Sequence, residues 1–159
     1  LEEYTIDYQN VVASVKICHD PNEYVPIYEI KYPKIEEATW AILDSIREKI
    51  VTDLAFRTDD VLGSEETSDV KNKFTERATK LVRSELPNLS KNDVDILVGI
   101  LSQESLGLGP IEFMLKDNGL EEIVINNAKE SIWVYHRTHG WLKTNVIVGD
   151  ESKIYNYSA

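Results

Sequence analysis

Apolar and polar side chains alternate at both ends of this chain and fall on helical spacing in between. Near the start, Tyr4, Ile6 and Tyr8, then Ala13, Val15 and Ile17, recur at period two, which predicts two half-buried strands. Asp20-Pro21-Asn22 supplies turn chemistry, and a β-rich run follows at Val25, Ile27 and residues 28–32. Pro26 lacks the N–H that an inner strand gives to its ladder, so this run is expected at a sheet edge. Past Pro33 the period lengthens: Thr39/Trp40, Leu43, Ile46, Ile50 and Leu54 mark one face of a helix of about five turns. Glu36 and Glu37 sit at its start, where the helix dipole favours anions. Residues 59–68 are polar around Gly63 and predict an exposed loop. Val70, Phe74, Ala78, Leu81 and Val82 mark a second amphipathic helix that Pro87 ends. Ser90, with Asp93 in the capping-box position, opens a third carrying Val94, Leu97, Val98 and Leu101.

Glycine tolerates the left-handed C-cap and proline suits the first helical position, so Gly107-Leu108-Gly109-Pro110 reads as a corner between the third helix and a short fourth. Alternation then returns at Ile123 and Ile125, in residues 132–135, and in residues 141–148 after a His139-Gly140 turn. Strands, then helices, then strands, without βαβ alternation, give an α+β class: N-terminal strands, a helical block, then a small antiparallel sheet. A boundary is expected at Asn118-Gly119. It would divide a strand-plus-helical subdomain, 1–118, from the truncated start of a second α+β subdomain, 119–159.

The composition narrows the function classes. With 159 residues, 42% of them hydrophobic, the chain can bury a core. Its net charge of −11 repels polyanions, so nucleic acid is not an expected partner. No apolar run nears the roughly 20 residues of a membrane helix; residues 94–101 are hemmed in by Asp93, Gln103 and Glu104. The single cysteine, Cys18, suits a reducing compartment, and a cytoplasmic location is expected. The chain opens at Leu1 without a basic-then-apolar leader and stops at Ser158-Ala159 without a helix stop, so it is expected to be part of a longer chain.

The candidate chemistry is thin. There is no GxxxxGK(S/T), and Gly107-Leu108-Gly109 lacks both a third glycine and a following lysine. His136 and His139 lie three apart in a predicted hairpin with no third ligand near them in sequence, so zinc is not expected. A hydrolase using either histidine with a nearby acid is the enzymatic alternative. Cys18 and His19 are neighbours on a strand and point to opposite faces, which places them poorly as nucleophile and base. Asp59-Asp60, Glu65-Glu66 and Glu121-Glu122 pair carboxylates in polar surroundings, whereas acid–base work needs one of a pair buried. Trp133, Tyr135 and Trp141 can cluster across two strands, serving the sheet itself or a partner. No catalytic, cofactor-binding or metal-binding residue is assigned. Arg137, in the turn, with Trp133 and Trp141, forms the candidate interface set.

One stretch carries a family resemblance. Gly107-Leu108-Gly109-Pro110-Ile111-Glu112-Phe113-Met114-Leu115 is followed by Leu120-Glu121-Glu122-Ile123-Val124-Ile125-Asn126. Ile132-Trp133-Val134-Tyr135-His136-Arg137 and Gly140-Trp141-Leu142 come next. In that order they resemble the N-terminal region of the type II/IV secretion ATPases, with most of the signal in residues 106–148. Tyr24-Val25-Pro26-Ile27-Tyr28 and Tyr32-Pro33 are similar to the archaeal branch that drives archaellum, pilus or related export machinery. The resemblance implies a RecA-like ATPase domain joined after this region, ATP and Mg bound between the two, and a ring, generally a homo-hexamer. It further implies docking on an inner-membrane platform protein, so that the chain is cytoplasmic and peripheral to the membrane through partners. This chain carries no Walker or His-box element, so no hydrolysis is expected of it alone, and no cofactor. A freestanding interaction module with the aromatic hairpin as its binding face is the alternative.

Overall fold

The computed structural model describes residues 1–33, 35–58, 67–106 and 109–149. Its strands are β1 (Glu2–Tyr8), β2 (Val11–Cys18), β3 (Ile27–Lys31), β4 (Leu120–Val124), β5 (Ser131–His136) and β6 (Gly140–Ile147). Its helices are α1 (Glu37–Thr58), α2 (Thr67–Glu85), α3 (Lys91–Leu106) and α4 (Pro110–Lys116). The class is α+β.

All six strands share one sheet in the order β1-β2-β3-β6-β5-β4. The pairs β2–β3, β4–β5 and β5–β6 are antiparallel, and β3 runs parallel to β6. The C-terminal strands therefore extend the N-terminal sheet instead of forming a separate small one. The chain accordingly divides elsewhere than at 118–120. One compact unit holds Leu1–Tyr8, Val12–Pro33 and Leu108–Ala159; the other holds Gln9–Val11 and Lys34–Gly107. Asn118-Gly119 is a turn inside the first unit, closed by the Leu120 N–H on the Asp117 carbonyl at 3.1 Å.

β3 is an inner strand, which corrects its expected place at an edge. Pro26 stands one residue before the strand, so its missing N–H costs the ladder nothing, and its carbonyl accepts the Lys143 N–H at 3.2 Å. The parallel ladder itself is short, pairing Ile27 with Lys143 and Tyr28 with Thr144. Beyond it, the Asn145 side-chain amide stands in for a peptide: Oδ1 accepts the Ile30 N–H and Nδ2 donates to the Ile30 carbonyl, each at 2.9 Å.

Burial follows the alternation. β2 buries Val11, Ala13, Val15 and Ile17, and β5 buries Ile132, Val134 and His136. α4 starts as its sequence requires, with Gly109 at φ 57° as N-cap and Pro110 at the first position. Its Phe113 is buried and meets Tyr8 and Tyr32 edge-on, with ring centroids 6.0 and 5.3 Å away. In the other unit, Leu43, Ile46, Ile50, Phe74, Ala78, Val82, Val94, Leu97, Val98 and Leu101 form one apolar cluster from three helices. Ser90 caps α3, its Oγ accepting the Asp93 N–H at 3.1 Å. The loop expected at 59–68 lies outside the described residues up to Thr67, where α2 begins, and Gly107 lies outside them too. Among the described residues, no single helix is long and apolar enough to cross a membrane.

Candidate functional site

Within the sheet-bearing unit, a cleft of about 520 Å³ opens between β1, the end of α4 and the β5–β6 turn, lined among others by Tyr4, Lys116, Asp117, Gly119, His136 and Arg137. Its floor is polar and buried. Asp117 is only 8% exposed, yet its carboxylate is well supplied with donors. Oδ2 accepts the Tyr4 hydroxyl at 2.5 Å and the Tyr28 hydroxyl at 2.7 Å, and Oδ1 accepts the Gly119 N–H at 2.8 Å. The donors come from β1, β3 and the α4–β4 turn. One carboxylate thus ties three elements that are far apart in sequence, and charge-assisted bonds of this kind are the stronger ones. Burial first, and then the bond to Asp117, raise the pKa of both tyrosines, so both remain protonated donors.

His136 ends β5 and is 3% exposed. Its Nδ1 accepts the N–H of Thr138 at 3.2 Å and of His139 at 3.4 Å. A nitrogen that accepts carries no proton, so the neutral ring holds its proton on Nε2. Nε2 lies against Gly119, where a Cβ would come within 2.6 Å of it. Glycine is required there by proximity. Burial lowers the pKa of His136, helped by His139 and Arg137 and opposed by Glu2 and Asp117. The ring of His139 sits 4.9 Å from that of His136, and its Nε2 meets Glu2 Oε2 at 2.8 Å.

Glu2, His136 and His139 each offer one ligand atom, all within 4.8 Å of one another. Glu2, at the other end of the chain, is the third group that sequence spacing missed. Four-coordinate zinc needs free lone pairs about 2.0–2.2 Å from the ion. Here the Nδ1 lone pair of His136 serves two backbone N–H groups and Glu2 is closed onto His139, so these contacts make a hydrogen-bonded cluster. The same contacts bear on the hydrolase alternative, because among the described residues the bonds these histidines make run to a carboxylate and to backbone N–H groups.

Of the three interface candidates, Arg137 reaches the cleft, exposed in the turn, with its own N–H held by the Gly119 carbonyl at 2.9 Å. Trp133 and Trp141 do not. They lie on the face opposite His136 and Val134, where Tyr135 pairs with Trp141 and Trp133 with Lys143. Tyr135 and Trp141 meet edge-on at 5.3 Å, leaving Trp141 43% exposed. Cys18 is half-buried at the end of β2 with His19 exposed beside it, and Glu121 and Glu122 are exposed. Asp59-Asp60 and Glu65-Glu66 lie outside the described residues.

Comparison with known proteins adds no relative: no protein-family model matches the chain, and no curated protein matches it.

Proposed function

We propose that this chain is the nucleotide-free N-terminal region of a ring-forming type II/IV secretion ATPase, packing against a RecA-like motor domain and passing its movement to a membrane platform. The observation that carries the reading is the order of motifs in residues 106–148: the corner, the acidic residues before an apolar run that leads to Asn126, and the aromatic hairpin with its Gly140-Trp141-Leu142 turn. Arg137 is the residue proposed to face the motor. Its side chain is exposed at the cleft rim while its backbone is held by Gly119, so a substitution there changes charge without loosening the turn. The cytoplasmic, membrane-peripheral location, the hexamer and the ATP and Mg of the whole protein belong to this proposal.

The test is to read the frame past Ala159 for GxxxxGK(S/T) roughly a hundred residues on, about one ordinary domain away. With the loop present, Arg137→Ala in the whole protein should slow ATP hydrolysis and leave the unfolding midpoint of this region unchanged. A stop codon ahead of such a loop would end the motor reading. The exposed Trp141 would then make the freestanding interaction module the reading to pursue, through partner binding by Trp141→Ala.

A further inference from the structure

The turn between β5 and β6 is built like others among the described residues, with one change of chemistry. At Asn127, the side-chain Oδ1 accepts the N–H groups two and three residues on, from Lys129 at 2.9 Å and Glu130 at 3.0 Å. Asp20 Oδ1 accepts the N–H two residues on, from Asn22 at 2.9 Å, while the Glu23 N–H goes to the Asp20 carbonyl at 3.1 Å. At position 136 the corresponding atom, bonded to Cγ, is an imidazole nitrogen, and it accepts the N–H groups of Thr138 and His139. An amide oxygen stays an acceptor at every pH near neutrality. Imidazole Nδ1 has one lone pair and loses it to a proton.

We propose that this turn is a proton-operated latch: neutral His136 holds residues 138–139 closed, and protonation of His136 in mildly acidic conditions releases them. The protonated Nδ1–H would point at two backbone N–H donors, setting three donors against one another with no acceptor between them in a part-buried place. Release would loosen the contact between His139 and Glu2 that ties the turn to β1, while the Arg137 N–H stays on the Gly119 carbonyl. The groups facing the ring are known from each side. His139 and Arg137 in the turn oppose its charge, as burial does most strongly, whereas Glu2 on β1 and Asp117 after α4 favour it. From β4 the ring's strand partner is the uncharged Leu120. The proposal does not depend on a motor domain following this region.

The experiment is a proton and nitrogen NMR titration of the full chain from pH 8 to about pH 5, below the ordinary histidine value of about 6.5. Ring shifts of His136 are followed together with hydrogen exchange at the amides of Thr138 and His139. Corrected for intrinsic exchange, protection of both amides should fall about tenfold or more along the His136 titration, the loss of one hydrogen bond's worth. The amides of Lys129 and Glu130, held by Asn127, should stay protected and serve as the internal control. His136→Asn restores an amide oxygen at the same place and should abolish the response. His139→Gln, at the less buried partner, should keep the response and move its midpoint upward. Protection persisting through the His136 titration, or a response surviving in His136→Asn, would overturn the latch. So would equal loss at Lys129 and Glu130, which would mean general unfolding.

Discussion

Removing the Tyr28 hydroxyl tests whether Asp117 organises the sheet-bearing unit. Tyr28 is fully buried and gives Asp117 Oδ2 a bond of 2.7 Å, so Tyr28→Phe deletes one donor to a buried carboxylate and almost no volume. Hydrogen bonds to charged groups contribute about 1.5–3 kcal/mol, and no water can replace this one easily, so a loss of about 2 kcal/mol is expected. Tyr4 makes the shorter bond, 2.5 Å, but is half-buried at the cleft, where water can take its place. Tyr4→Phe should therefore cost about 1 kcal/mol. With both hydroxyls gone, of these three donors only the Gly119 N–H remains, so the double variant should lose about 0.5–1 kcal/mol more than the sum. Urea unfolding read by tryptophan fluorescence is the assay, in a Trp40→Phe background because Trp40 reports the helical unit. At an m-value of about 2 kcal/mol/M, Tyr28→Phe should lower the midpoint by about 1 M. If both single variants stay within about 0.5 kcal/mol of the parent, the ordinary range of neutral surface changes, the carboxylate is not the tie that the geometry describes.

Gly119→Ala would put a methyl 2.6 Å from His136 Nε2 and 3.1 Å from Asp117 Oδ1, and should cost about 1–3 kcal/mol in the same assay, with His136 ring shifts displaced. A cost under about 0.5 kcal/mol would mean that the ring gives way freely. Because the folded state lowers the pKa of His136, the unfolded chain binds more protons between that value and about 6.5, so stability is complete above 6.5 and falls as pH drops below it. The unfolding free energy should rise from pH 5.5 to 6.5 by at most about 1.4 kcal/mol and level off towards 7.5, and a profile flat throughout would contradict the shift. Asn145→Ala should cost about 1–2 kcal/mol and open the Ile30 amide to hydrogen exchange, since that N–H loses its side-chain acceptor.

Local chemistry made most elements legible. Period-two alternation located β1, β2, β5 and β6; helical spacing, Ser90 and the Gly109-Pro110 pair located the helices. Pairing was less legible because it is a long-range property. Pro26 argued for an edge by a sound rule, but the rule governs residues inside the ladder, and Pro26 falls just outside it. The boundary expected at 118–120 falls inside one compact unit for a related reason. A composition shift marks where helical spacing ends, yet nothing in residues 119–149 announces that β6 will lie beside β3. Asn145 is a polar signal of that junction, as is Lys143 with Glu23, and each can be read only once its partner is known.

The candidate site follows from the same parallel junction. Inserting β6 beside β3 puts Tyr28 within reach of the α4–β4 turn, which lets Asp117 accept from Tyr28 and Tyr4 together, although they are 89 and 113 residues away in sequence. Asp117 and Tyr4 carried no motif, and an aspartate beside Asn-Gly reads locally as turn chemistry, which Asp117 also performs through its Oδ1 on Gly119. His136 and His139 were visible as a pair, but spacing could judge them only against metal-site templates. What the pair does instead depends on which lone pair is engaged. Arg137 was singled out for its place in the turn, and its backbone is held on the cleft side by the Gly119 carbonyl, not by His136. The proposed latch at His136 and the proposed role of Arg137 therefore share a turn but not a hydrogen bond, so each can be tested without disturbing the other.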